Sequence, residues 1–343
     1  LLATEVSAQQ VFARIAHETG LLGDVYRKRR SPALLITALG GIRSDRLDHT
    51  HLVLAVRFPD YTPDILMRAL QERRTLVRTW GVRGVLQTVP TLQLGLYLAA
   101  AGISAQRWRR FLDARSNLST PARLRLLRRL CPETISREAL REAIPDATTR
   151  QFMLREAAQG GHIVWRDGDG QQASFVWTKA WLGKVVEPDR EYHDLVARFL
   201  TTYGPVAASD LAAWLGVTVA AARRLMAKHL VEEVHVEGEA TPTFMKPDDL
   251  EALQRTRKST AKGLAVIPPG DPVRLAYRTR YAVEGEDSDN QGAVILDARL
   301  AATWTLNRRT VTIRYLEDDH QPRIRKAITQ VLERAGIEAT LES

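Results

Sequence analysis

The stretch AASDLAAWLGVTVAAARRLMAKH, residues 207–229, runs directly into LVEEVHVEGEATPTFM, residues 230–245. Ala207–Leu215 reads as a short helix, Gly216-Val217-Thr218 as a turn, and Val219–His229 as a second helix. Val231–Val236, a turn at Glu237-Gly238 and a short polar strand to Met245 then form a β-hairpin. Two helices joined by a glycine-containing turn and closed by a hairpin make a winged helix-turn-helix. Ala212, Leu215 and Val217 stand where such motifs bury apolar side chains. The second helix is built of small residues and carries Arg223 and Arg224 side by side. Winged helices read nucleic acid or serve as protein-contact modules, and the two arginines favour the first use.

The same order of elements occurs earlier in the chain. Thr148–Gln159 is helical and stops at Gly160-Gly161. Ile163-Val164-Trp165 alternates into Asp167-Gly168-Asp169-Gly170, and Ala173–Trp177 follows, which predicts strand, tight turn, strand. Further upstream, helices are expected at Ser7–His17, at Ala33–Leu39 after Ser31-Pro32 and before Gly40-Gly41, at Asp48–Val56 and at Pro63–Arg73. Thr75–Thr88, rich in β-branched residues, predicts strands. Pro90–Gly102 and the basic stretch Arg107–Leu130 predict helices, and Lys246–Lys262 a charged connecting helix. The last part turns β-rich, with strands expected at Val266-Ile267, Val273–Tyr277, Ala293–Leu296, Ala301–Leu306 and Thr310–Tyr315 before a closing helix at Arg323–Ala335. The fold class is α+β: tandem winged helices with a β-rich C-terminal domain. The expected boundaries are residues 1–130 for an N-terminal winged-helix-like domain, 131–188 and 189–250 for the second and third winged helices, and 251–343 for the C-terminal domain.

Length and charge bound the function. The 343 residues correspond to about two to three domains at ~150 residues each. Forty-nine Lys and Arg against 40 Asp and Glu give a net charge of +9, which favours a polyanionic partner. Arginine dominates and clusters at residues 27–30, 107–110, 123–129 and 323–326, where its planar fork suits phosphate. One cysteine, Cys131, excludes an internal disulfide and any zinc site built on a cysteine pair. The apolar runs Leu34–Ile42 and Leu94–Ile103 fall short of the ~20 residues a membrane helix needs, and no signal-peptide pattern opens the chain. The expectation is a cytoplasmic, nucleoid-associated monomer without membrane contact.

Scans for common catalytic motifs return nothing that stands. There is no P-loop, GxGxxG, HExxH or GxSxG. Ser259-Thr260-Ala261-Lys262 has the serine–lysine spacing of penicillin-binding enzymes but lies in a charged segment without their partner motifs. His49-x-His51 beside Asp45 and Asp48 makes a poor metal site, because helix positions two apart point in different directions. No metal and no cofactor are expected.

Several blocks together resemble one family. Residues 78–90, RTWGVRGVLQTVP, are similar to its most recognisable segment. Asp271-Pro272, Tyr277-Arg278-x-Arg280 and Val294–Leu296 running to Thr303-Trp304 resemble its C-terminal block. Tyr203-Gly204-Pro205 followed by Asp210-Leu211-Ala212-x-Trp214-Leu215-Gly216 resembles its helix-turn-helix. The family is the AlkZ/YcaQ-like winged-helix DNA glycosylases, and the resemblance spans about residues 8–336. It implies excision of alkylated purines, bulky or crosslinked adducts included, and in some members protection of an antibiotic producer from its own genotoxin. The family's catalytic signature is Gln, an apolar residue, then Gln or Asp, just after a glycine-containing helix end. Aligned on Leu39-Gly40-Gly41-Ile42, that signature falls on Arg43-Ser44-Asp45. Asp45 matches; Arg43 and Ser44 depart, as does Gln87 where the family has His.

The chemistry is compatible with one carboxylate. An alkylated purine already carries positive charge and leaves with little acid help, so a single residue that orients or deprotonates water suffices. Asp45 is the candidate, with Arg43 its neighbour. Arg43 either pairs with Asp45, lowering its pKa, or contacts a phosphate and leaves it free. Trp80 and Gln87 are expected at the site. Arg83, Arg223 and Arg224 are expected on DNA. The family's groove-inserting hairpin has two candidates here, the acidic loop Asp167–Gln171 and the turn Asn307–Arg309 with Arg308 and Arg309. The expected function is hydrolysis of the N-glycosidic bond of alkylated or bulky-adduct purines in duplex DNA. The alternative is a catalytically silent winged-helix protein that binds duplex or damaged DNA.

Overall fold

The structure, a computed structural model, describes residues 4–22, 31–102, 105–277, 290–317 and 319–342. The basic run at 27–30 and the Arg278-x-Arg280 pair lie outside the described residues. The fold is α+β, about half helix, with three three-stranded sheets and a five-stranded C-terminal sheet.

The chain opens with β1 (Thr4–Val6) and α1 (Ala8–Glu18), whose N-terminus is closed by a Ser7/Gln10 capping box. Helix α2 (Pro32–Leu39) starts on the Ser31 side chain and a first-turn proline. It ends on Gly40 at φ 71°, and a Cβ there would stand 2.8 Å from Cζ2 of Trp214. Gly40 therefore turns the chain and admits an indole from the third winged helix. The next residues form β2 (Ile42–Arg43), then α3 (Leu47–Arg57) and α4 (Pro63–Met67). Strands β3 (Leu76–Trp80) and β4 (Leu86–Pro90) complete a sheet ordered β2-β4-β3, with Arg43 opposite Gln87 and Ile42 opposite Thr88. A two-residue strand thus fixes where residues 43–46 emerge.

Helix α5 (Leu94–Gly102) follows, and the basic stretch expected as one helix is two, α6 (Ala105–Arg115) and α7 (Thr120–Leu130). The break falls at 116–119, where Ser119 takes the N-cap position and Pro121 sits in the first turn. Buried Arg123 joins these helices to the next by pairing with Glu156 at 2.7 Å and Asp113 at 2.9 Å. The second unit comprises β5 (Thr134–Ser136), α8 (Ala147–Gln159), β6 (Ile163–Asp167) and β7 (Ser174–Trp177), in sheet order β5-β7-β6, followed by α9 (Thr178–Leu182).

The third unit contains α10 (His193–Tyr203), α11 (Ala208–Leu215), α12 (Val219–Met226), β8 (Glu232–Val236) and β9 (Thr243–Met245). Gly216 at φ 73° makes the turn between α11 and α12. Strand β1 pairs with β8 in parallel, so the first described residues of the chain close the sheet of this unit. After α13 (Pro247–Arg255) comes the C-terminal sheet: β10 (Leu264–Ile267), β11 (Gln291–Leu296), β12 (Arg299–Asn307), β13 (Thr310–Tyr315) and β14 (Thr340–Glu342), in that order.

The strand expected at Val273–Tyr277 is instead helix α14 (Pro272–Ala276). Asp271 caps it by accepting from the Val273 N–H at 2.9 Å, and Pro272 fits the first turn. Helix α15 (Gln321–Ala335) sits between β13 and β14 and packs against α3, with Ile324, Ile328 and Leu332 buried. The C-terminal domain and the helix that follows Asp45 therefore share one core. Among the described residues, no helix is long and apolar enough to cross a membrane.

Candidate functional site

Asp45 sits on the loop between β2 and α3, held from four directions. Ser44 before it is fully buried: its N–H donates to the Leu86 carbonyl at 2.7 Å, and its hydroxyl accepts from Thr50 at 2.9 Å and Thr88 at 3.0 Å. These hydroxyls satisfy the buried polar side chain of Ser44. Buried Arg78 donates from Nε to the Ser44 carbonyl at 2.5 Å and pairs through Nη2 with Asp169 at 2.6 Å. Asp169 in turn accepts from the Leu47 N–H at 2.9 Å. The acidic turn of the second unit is thus a clasp on the Asp45 loop, with Asp169 paired to Arg78.

Of the two arrangements open to Arg43, the structure has the ion pair. Its Nε donates to Asp45 Oδ1 at 2.7 Å and its Nη2 to Oδ2 at 3.0 Å, a bidentate fork. His49, one turn into α3, brings Nδ1 to 3.6 Å from Oδ1, an electrostatic contact beyond hydrogen-bond distance. Burial by itself would raise the Asp45 pKa; the contacts with His49 and Arg43 outweigh it and hold the carboxyl well below the usual carboxylate range. The side chain remains 41 % exposed, so an ionised carboxylate faces outward. His51 points elsewhere and bonds Tyr61 Oη at 2.7 Å through Nδ1. Among the described residues, no group of His, Cys, Asp or Glu side chains is placed to hold a metal.

Asp45 and Arg43 line a cavity of about 280 Å³. Its aromatic wall is Trp80 stacked on Phe175 of the second unit, ring centroids 5.2 Å apart and planes 19° apart. Arg137 and Arg155, also from the second unit, line the same space. The cavity, partly open to solvent, brings the Asp45–Arg43 pair and two further guanidinium groups together beside buried aromatic rings.

The other sequence-predicted residues are distributed around it. Gln87 is buried, and its side-chain Oε1 accepts from the Val82 N–H at 2.9 Å, shaping the turn between β3 and β4. Arg83 occupies that turn at φ 63° and packs on Gly216 of the third unit, where a Cβ would meet its Cγ at 3.1 Å. Arg223 and Arg224 are exposed on α12, the second helix of the helix-turn-helix. Arg308 and Arg309 are exposed at the two-residue turn between β12 and β13. That turn lies near the Asp45 loop, because Arg46 donates to the Leu306 carbonyl at 3.3 Å while pairing with Asp48 at 2.7 Å. Sequence reasoning places Arg78 in the family block and Asp169 in a candidate hairpin loop without joining them, and it does not single out Arg137 or Arg155; these roles arise when the second unit docks.

A protein-family model described as DNA glycosylase AlkZ-like matches residues 36–342. Among solved structures, the Streptomyces sahachiroi DNA glycosylase AlkZ is similar, with a TM-score of 0.74 at 18 % identity, covering 99 % of this chain and 100 % of that one. A search of curated proteins finds no match.

Proposed function

The chain belongs to the family of AlkZ-like DNA glycosylases, and from that premise we propose that it hydrolyses the N-glycosidic bond of alkylated or bulky-adduct purines in duplex DNA. Asp45 holds the attacking water. The observation that carries this reading is the Asp45 carboxylate itself, kept ionised at the edge of an aromatic-walled cavity just after the glycine-terminated helix α2.

The pairing with Arg43 suits one kind of mechanism. A carboxylate with a lowered pKa is a weak base but a permanent charge. A cationic purine leaves readily, and positive charge then develops on the sugar, where a fixed anion lowers the barrier. Each Asp45 oxygen accepts one N–H from Arg43 and retains lone-pair capacity to orient a water. The C–N bond breaks with its electron pair going to the purine, which leaves neutral; water then adds to the cationic sugar carbon and gives its proton, through Asp45, to bulk solvent as the C–O bond forms, so a strong base is not required.

Release of free base from duplex DNA carrying 7-methylguanine is the test. Salt-sensitive duplex binding without release favours the alternative, a DNA-binding protein that kept the fold and lost the chemistry. Arg43→Gln gives a sharper expectation. Without the guanidinium, the Asp45 pKa rises toward the ordinary value of about 3.9. A depressed pKa means the charge is present above that value and lost only well below it, so the wild-type rate stays flat on its acidic side. In Arg43→Gln the acidic limb moves to higher pH. A pH–rate profile with an unmoved limb contradicts Arg43 as the group that tunes Asp45.

Exposed arginines would hold the duplex. Each neutralised phosphate contributes about −0.9 to the slope of log K against log[salt]. Arg223→Ala with Arg224→Ala is expected to weaken duplex binding and to flatten that slope by about 1 to 2. Unchanged affinity moves the footprint to Arg308 and Arg309.

A further inference from the structure

The cavity beside Asp45 contains two guanidiniums that the chemistry above does not use. Arg137 follows β5, and Arg155 lies on α8 one turn after Gln151, which lines the same cavity. Among the described residues, neither arginine makes a hydrogen bond or an ion pair, and the Nε of each is sealed from solvent without a partner. Burial lowers the pKa of both, and for Arg137 the nearby charge of Arg150 adds to it. Every other arginine described at the site has an answer: Arg43 has Asp45, and Arg78 has Asp169. Leaving buried donors unmet costs stability, and such groups in a cavity point to something that binds there.

The sign of the charge identifies the partner. Arg43 and Asp45 cancel, so Arg137 and Arg155 leave the enclosure with a positive surplus. An alkylated purine is itself cationic, and two uncompensated guanidiniums nearby would oppose its binding. An anion that arrives with the target removes the conflict. The phosphodiesters on either side of the target nucleotide are such anions, and the guanidinium fork matches paired phosphate oxygens. We infer that Arg137 and Arg155 form a clamp for a phosphodiester flanking the target nucleotide, which draws its sugar toward Asp45. The inference rests on Asp45 marking the place of that nucleotide. Both arginines are positioning residues.

The test uses binding, so it needs no base release. The probe is duplex DNA with a tetrahydrofuran abasic-site analogue, titrated with the full-length protein. Arg137→Gln with Arg155→Gln is expected to weaken binding at least tenfold and to reduce the salt slope by about 1, with an unfolding midpoint no lower than that of the wild type. Arg155→Lys, which keeps the charge but not the fork, is expected to fall between, and it serves if the double variant does not fold. A second arm replaces one flanking linkage at a time by an uncharged methylphosphonate. At one of them the neutral linkage should cost the wild type affinity and cost the double variant nothing. Equal cost in both proteins at every flanking linkage overturns the clamp and assigns the cavity's charge to an acidic substituent on the adduct. Base release that survives Asp45→Asn overturns the catalytic reading without touching this coupling, and absence of the coupling overturns the clamp without touching the result of the base-release assay.

Discussion

Asp45→Asn is expected to lower the single-turnover rate of base release by about 10²- to 10⁴-fold, the range for removing a positioned general base or charge stabiliser. Duplex affinity should hold or rise. The amide has the volume of the carboxylate, so the loop pinned by Ser44, Arg78 and Asp169 keeps its shape. What changes is charge. Arg43 loses the anion that accepts from its Nε and Nη2, and the cavity gains one net positive charge that favours a phosphate. Tighter binding with collapsed turnover would therefore separate a chemical role for Asp45 from a structural one. Release that persists within threefold would keep the enzyme and dismiss Asp45 as its central residue.

The second large effect concerns stability. Arg57 near the end of α3 and Asp271 at the start of α14 are both fully buried and pair at 2.7 and 3.1 Å. Arg57 also donates to the carbonyls of Thr19 at 2.6 Å and Val53 at 3.0 Å, while Asp271 caps α14 through the Val273 N–H. One ion pair thus ties α1, α3 and the C-terminal domain together. Asp271→Ala is expected to cost about 3–5 kcal/mol in urea unfolding, because it strands a buried cation. Replacing both partners, Arg57→Met with Asp271→Leu, should recover much of that loss, since the desolvation cost of the pair disappears with it. A single-variant loss below about 1 kcal/mol would show that water reaches Arg57 and that the pair is not the tie described.

Local patterns were readable in the sequence; pairings across long separations were not. The third winged helix lay open because its turn glycine, helix caps and hairpin are all encoded within 40 residues. The helix end at Gly40 followed from the same kind of local signal, whereas Arg43 and Asp45 stand out only through the family resemblance. Helix α14 was misread as a strand although its cues were present: β-branched Val273 and aromatic Tyr277 suggested a strand, but Asp271-Pro272 is a cap followed by a first-turn proline. Strand β1 had no local signal, since its three residues become a strand only by pairing with β8 some 230 residues away. The acidic loop at Asp167–Gln171 is a hairpin candidate by sequence, and its tie to Arg78 is invisible there because the two lie about 90 residues apart. Arg137 and Arg155 are two among many arginines until the packing of the second unit against β3 sets them at the cavity. The family resemblance, by contrast, rested on blocks whose order survives low identity, and the family model matches across them.

The most direct measurement is mass spectrometry of both products after one turnover of the wild-type protein on a duplex with a single 7-methylguanine, repeated on a duplex with a bulky N7-alkyl adduct. Hydrolysis of the N-glycosidic bond predicts free modified base together with an intact strand bearing one abasic sugar. A duplex that is bound tightly yet returned whole from both substrates would contradict it.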